Sequence, residues 1–218
     1  MKIQLFTLFF LSLFMVEAQV FNFTSQEQGK TIIHRILIDE SYIVETQFVN
    51  EPAEFILTRG GFYNKEGNVI SIDFEFNSNY EKDGLKQLDM SWSEDWEKVS
   101  KPPKDLNGKW LMAGRMNDQG ERRRDTSKPR KTMKFLLDGY FQWIAFNTET
   151  FQFFGSGGGY YSAENGNYTE HIEYFSRDNS RVGAVLPFDY SLKESDWHHQ
   201  GFSSKGDPIH EIWSIRVH

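Results

Sequence analysis

The chain has 218 residues, a formal net charge of −7, 16% aromatic residues including 20 Phe, and no cysteine. That length suits one large or two small domains. The missing cysteines exclude disulfides, thiolate metal sites, a cysteine nucleophile and an acylated-cysteine anchor, and the acidic balance argues against nucleic acid as a partner.

Met1–Ala18 reads as a secretory signal peptide. Lys2 opens it, Ile3–Val16 is apolar, and cleavage is expected before Gln19. The apolar run is short for a bilayer span, so an uncleaved anchor ranks below cleavage. An exported protein, periplasmic or secreted and not inserted in a membrane, is the expectation. Asn22-Phe23-Thr24 and Asn167-Tyr168-Thr169 match the glycosylation sequon, a motif common by chance.

A first unit, residues 19–100, reads as strands from about Gly29 onward: Lys30–Ile38, Tyr42–Val49 and Glu54–Tyr63. Glu66-Gly67-Asn68 is a hairpin turn. After it Ile70, Ile72, Phe74 and Phe76 share one face of a strand, and Ser71, Asp73 and Glu75 the other. Lys86–Trp92 and Glu94–Val99 supply two more. Lys101-Pro102-Pro103-Lys104 is the expected linker, since proline stops both helix and sheet pairing.

The second unit, 105–218, opens with Asn107-Gly108-Lys109-Trp110-Leu111. Glu121–Lys134 then carries Arg122, Arg123, Arg124, Lys128, Arg130, Lys131 and Lys134 against Glu121 and Asp125. Such a run is commonly a solvated loop. Its sign opposes that of the whole chain, which favours a cationic rim on a pocket. Strands follow at Thr132–Leu137, Tyr140–Asn147, Phe151–Tyr161, Asn167–Phe175, Val182–Leu192, Trp197–Gln200 and His210–Val217, with turns at Asp138-Gly139 and Asn165-Gly166. Gly157-Gly158-Gly159 inside a strand marks a bulge, a bend or close approach to a ligand. No helix after the leader is convincing, so the fold class is all-β.

The halves repeat one another. Ile36–Asp39 matches Phe135–Asp138, Tyr42–Phe48 matches Tyr140–Phe146, and Arg59–Tyr63 matches Gly157–Tyr161. Glu94-Asp95-Trp96 resembles Glu211-Ile212-Trp213 at the end of each unit. Several matches in one order indicate a duplicated β-unit.

Gly108-Lys109-Trp110 resembles the Gly-x-Trp opening strand of lipocalins and the wider calycin group, and the second half is similar to lipocalin-like domains secreted by bacteria. The resemblance implies an antiparallel up-and-down barrel whose lumen holds one small ligand, present as two related tandem units. The first half lacks a Gly-x-Trp strand, so its closure into a barrel stays open.

Setting Gly67 over Gly166 places Ile70, Ile72 and Phe74 on Thr169, His171 and Glu173, which makes the lumen of the second unit titratable. A one-residue slip would instead turn Tyr168, Glu170, Ile172 and Tyr174 inward. Of His198 and His199, one should face in and the other out. No His-x-His or His-Glu-x-x-His spacing supports a metal. Arg177 or Arg181 could hold a carboxylate, with Asp178 beside them as a surface partner. Trp143 and Trp197 are candidate platforms for a sugar or flat ligand, while Trp96, Trp110 and Trp213 are assigned to core packing. His218 is terminal and assigned no role. There is no Walker loop, dinucleotide fingerprint or nucleophile elbow, and no cofactor is expected.

A cationic rim, indole platforms and a polar pocket suit an acidic oligosaccharide. The leading expectation is β-elimination across a uronic acid residue, as a lyase or dehydratase does. His171 would be the base, Glu173 its orienter, Tyr161 or His199 the acid, Arg177 or Arg181 the carboxylate clamp, and Lys134 a further binding group. The chain is also similar to small secreted proteins of acidic algal polysaccharide degradation, oligosaccharide dehydratases among them. A non-catalytic binding module and a structural envelope protein are the alternatives.

Overall fold

The computed structural model describes residues 18–102, 105–203 and 206–217. The expected leader, apart from Ala18, lies outside the described residues, as do Pro103 and Lys104 of the expected linker and His218. No helix among the described residues is long and apolar enough to cross a membrane.

Two antiparallel sheets form. The N-terminal sheet comprises β1 (Gln19–Glu27), β2 (Lys30–Ile38), β3 (Tyr42–Val49), β4 (Glu54–Glu66), β5 (Val69–Asn77), β6 (Gln87–Ser91) and β7 (Glu97–Val99), in the order β6-β5-β4-β3-β2-β1-β7. Strand β1 lies where no strand is expected. Val20 and Phe21 are its only deeply apolar pair, and Asn22–Glu27 shows no alternation for a pattern to reveal. One short helical turn, Tyr80–Asp83, follows β5. Strands β6 and β7 hold opposite edges and do not pair, so this unit is not a closed barrel. The intervening Trp92 and Trp96 pack on Phe21 at 5.1 and 6.0 Å between centroids. With Ile36, Ile38, Ile43, Ile70, Ile72 and Phe74 they fill the concave side with hydrocarbon.

The second sheet comprises β8 (Gly108–Asn117), β9 (Gly120–Arg123), β10 (Arg130–Leu137), β11 (Tyr140–Asn147), β12 (Phe153–Glu164), β13 (Asn167–Phe175), β14 (Val185–Lys193), β15 (Asp196–Phe202) and β16 (Pro208–Ile215). Eight of them close into a barrel, β10 through β16 and then β8, because β8 also pairs with β10. The closing contact uses only Gly108–Leu111; beyond it, Gly114–Asn117 turns away to pair with β9. The barrel wall is therefore parted at one end, with the β8–β9 hairpin across the gap.

The N-terminal sheet packs on the outside of the barrel. Leu37, Tyr42, Val44 and Phe76 meet Met133, Phe135, Leu137, Tyr140, Ile144 and Phe146. This explains why Phe135–Leu137 and Tyr140–Phe146 are apolar on both faces: one faces the lumen and the other the neighbouring sheet. At the centre of the interface Gln142 donates to Thr58 (2.8 Å) and Ser156 (2.9 Å) and accepts from Thr46 (2.9 Å). All four are fully buried, so each polar atom needs such a partner.

The repeat is visible in paired bulges. Gly60 pairs with Phe76 and Gly61 with Phe74; Gly158 pairs with Tyr174 and Gly159 with Ile172. A Cβ on Gly61 or Gly159 would stand 1.9 Å from the Asp73 or His171 carbonyl oxygen, which only glycine permits. These bulges make Ile70, Ile72 and Phe74 equivalent to Tyr168, Glu170 and Ile172. The expected face is thereby corrected. Gly67 is the first residue of its turn and Gly166 the second, so laying one over the other slips the register by one.

Candidate ligand site in the barrel

The lumen of the barrel is half filled. Leu106, Trp110, Leu136, Phe141, Tyr161, Tyr168 and Trp197 pack its inner half. The outer half is a cavity of about 560 Å³ at the end where β8 and β10 part. Three layers line it.

The lip is cationic. The β8–β9 hairpin brings Arg122, Arg123 and Arg124 to it, and Arg177 joins from the segment after β13. Of the charge run, Arg122, Arg123 and Arg124 form this lip and Lys134 lies deeper, while Lys128, Arg130 and Lys131 do not line the cavity. Arg123 is paired with Asp196 at 2.6 Å. Arg122, Arg124 and Arg177 have no acidic partner among the described residues. Arg177 is aimed by its Nε, which donates to the Phe154 carbonyl at 2.8 Å.

The walls are aromatic. Trp143 and Phe175 stand edge to face at 5.6 Å. Gly157 makes room for them, since a Cβ there would lie 2.8 Å from both side chains. Ile172, Phe188 and Trp213 complete the wall.

The floor is charged. Lys134 Nζ donates to Glu170 Oε1 at 2.6 Å, and both side chains are 6% exposed. The ammonium also lies over the rings of Trp197 (5.1 Å), Trp213 (5.2 Å), Tyr168 (5.5 Å) and Phe188 (5.8 Å). Beside it His199 Nδ1 is 3.6 Å from Glu211 Oε2, within ion-pair range but beyond a hydrogen bond. Neither ring nitrogen of His199 has a hydrogen-bond partner, and neither do Trp213 Nε1, Trp197 Nε1 and Tyr168 Oη. Burial, then the Lys134 charge, push the imidazole below its ordinary range despite Glu211. His199 is therefore a neutral base with free nitrogens in the cavity wall. Burial would raise the Glu211 carboxyl, but the Lys134 and Arg115 charges act against it and the carboxyl is held low, so it is ionised.

Of the candidate site residues, Lys134, Trp143, Arg177 and His199 line the cavity. As expected, His199 faces in while His198 faces out, where its Nδ1 lies 3.1 Å from His210 Nε2. Other expectations need correction. His171 is on the outer face of β13, stacked on Tyr160 at 4.4 Å. Glu173 is the unpaired residue of the bulge and forms an ion pair with Arg35 of the N-terminal sheet. Tyr161 and Trp197 belong to the packed half, where burial, then Asp105 and Asp138, raise the Tyr161 phenol and make it a poor acid. Arg181 ends a 3₁₀ turn and pairs with Asp178 at 3.6 Å.

Glu170 faces inward, with Tyr168 and Ile172, as the one-residue slip has it; Glu211 and Trp213 are not among the expected site residues. Glu170 was legible: the Gly-Gly match of β4 with β12, carried on to β13, turns it inward. Trp213, assigned to core packing, also forms part of the wall with its ring. Glu211 has no signal beyond its parity in β16. Among the described residues no set of three histidines and carboxylates is placed to hold a metal ion.

A search of curated proteins finds no match to this chain. The family model described as "Domain of unknown function (DUF4488)" matches residues 105–218, which span the whole barrel and more than half of the 218-residue chain, and the chain belongs to that family.

Proposed function

We propose that the barrel takes up a small carboxylated ligand, an acidic sugar of the uronic acid class. The observation that carries this is the unpaired Arg122–Arg124–Arg177 lip on an aromatic-walled cavity of about 560 Å³, in a protein whose net charge is −7. Guanidinium forks suit a carboxylate, and indole faces suit the apolar face of a sugar ring. The leader expected over residues 1–18 would put the protein outside the cytoplasm, where such glycans occur. Calorimetric titration with galacturonic acid and with galactose tests the reading. Binding of the acid alone supports it; equal affinity for both, or none for the acid, defeats it.

One observation favours a catalytic version, β-elimination that leaves an unsaturated uronate at the non-reducing end: His199 is neutral, buried and free at both nitrogens. In this version His199, not His171, removes the proton from the carbon next to the carboxylate. The electron pair forms the new double bond as the bond to the β-oxygen breaks. Lys134 and the lip arginines stabilise the charge that develops on the carboxylate. The imidazolium, held by Glu211, returns the proton to the leaving oxygen. Incubation with a uronate disaccharide should raise the ultraviolet absorbance of the unsaturated product. Tight binding with no such rise leaves the binding module as the function.

A further inference from the structure

Arg130 stands one step outside the cavity. It does not line the lumen, but it borders the shallow surface hollow beside it together with Arg124. Its guanidinium carbon sits 3.4 Å from the centroid of the Phe154 ring. The carbonyl of that same Phe154 accepts from Arg177. One residue of β12 thus fixes both an arginine of the lip and an arginine beyond it.

Arg124 and Arg177 both lie close enough to Arg130 for their charges to act on it. Burial, then the charges of Arg124 and Arg177, lower the pKa of Arg130. None of the three has an acidic partner among the described residues. The nearest carboxylate in sequence, Asp125, is turned back on Ser127, accepting from its backbone N–H (2.9 Å) and its hydroxyl (2.6 Å). The neighbouring Lys131 ammonium is tied to the carbonyls of Thr126 (3.0 Å) and Lys128 (3.1 Å). A stacked guanidinium loses little freedom when it binds, so the fork is preorganised for an anion.

We propose that Arg130 on Phe154 is a second anion subsite, and that the ligand is an acidic oligosaccharide with at least two carboxylated residues. The terminal residue enters the cavity under Arg122, Arg124 and Arg177; the next lies outside, with its carboxylate on Arg130. This rests on the acidic-sugar reading above and extends it from a monosaccharide to a chain end. A flat anionic membrane is the competing partner for so cationic a mouth. The concave lip, with a fixed subsite beside it, favours a chain that enters end-on.

The test is calorimetric titration of the full chain and of Arg130→Gln with galacturonic acid and with tri-galacturonic acid, alongside sedimentation with phosphatidylglycerol vesicles. The trisaccharide should bind about tenfold tighter than the monosaccharide, one added charge-assisted contact. Arg130→Gln should erase that gain, leave the monosaccharide unchanged and leave the melting temperature unchanged. Raising the salt should shrink the gain, because the subsite is exposed. Equal affinities for the two sugars, or a gain that survives in Arg130→Gln, would overturn the subsite while the lip reading stands. Failure of both sugars to bind would overturn the acidic-sugar reading itself, and vesicle binding that Arg130→Gln abolishes would reassign the mouth to a membrane.

Discussion

Glu173 of the barrel and Arg35 of the N-terminal sheet form an ion pair across the interface between the two units. The repeat supplies its counterpart: Glu75 accepts from both terminal nitrogens of Arg216 at 2.7 and 2.8 Å. Glu75 and Glu173 are each the unpaired residue of their bulge, so the same irregularity grips the other unit from both sides. The bulge glutamate of the barrel therefore serves the interface and not the lumen.

Arg35 is 4% exposed, with its guanidinium 4.6 Å from the Tyr140 ring centroid. Arg35→Ala removes packing and charge together and should cost about 2–4 kcal/mol. Glu173→Gln leaves the buried Arg35 guanidinium without its counter-charge, though Asn22 Oδ1 still accepts from it, and should cost about 1–3 kcal/mol. Urea unfolding midpoints of the two variants check the order.

The Lys134–Glu170 pair is the buried counterpart. Lys134→Met leaves Glu170 as an uncompensated buried carboxylate and should cost about 3–5 kcal/mol. Lys134→Met with Glu170→Met replaces the pair by hydrocarbon and should recover most of that stability while abolishing ligand binding. Melting temperatures and calorimetry on the three proteins separate the two effects.

Glycines of one strand should fail in different ways. Gly157→Ala collides with the Trp143 and Phe175 side chains, which can move, so it should distort the wall and weaken binding at modest cost in stability. Gly159→Ala meets the His171 carbonyl at 1.9 Å, backbone that cannot yield without breaking the bulge, and should prevent folding or lower the melting temperature severely. Soluble yield and melting curves distinguish them.

Stability should fall with acid. The folded His199 has a lowered pKa, so the unfolded chain binds the proton first; the stabilising contribution is complete above about pH 6.5 and is lost as pH drops below it. The His198 and His210 rings, both also lowered by burial, act in the same direction. His199→Phe should flatten part of the decline in melting temperature between about pH 7 and about pH 5.5. An unchanged slope would mean that His199 titrates alike in the folded and unfolded chain and contradicts a lowered pKa, while a steeper decline would mean that the folded protein holds it protonated.

The strand plan was legible because turns such as Asp138-Gly139 and runs such as Val69–Phe76 carry local signals. Tyr42–Val49 and Asn167–Phe175 have the bounds the pattern gives. The polar lumen was legible as a property, but its residues were misplaced. A turn glycine obeys the local sign of φ and can occupy either turn position, so it is a poor ruler for register. Close-approach glycines such as Gly61 and Gly159 are fixed by the backbone opposite and measure it correctly. The packing of the N-terminal sheet on the barrel, and with it the duty of Glu173, depends on contacts far apart in sequence that no local pattern contains.

Indole N–H resonances offer the most direct view of where the ligand sits. Trp143 and Trp213 line the cavity, whereas Trp92 and Trp96 pack in the N-terminal sheet. On titration with tri-galacturonic acid, the Trp143 and Trp213 signals should shift together and saturably while those of Trp92 and Trp96 stay fixed. Shifts confined to Trp92 and Trp96, or none at all at saturating sugar, would contradict an acidic-sugar site inside the barrel.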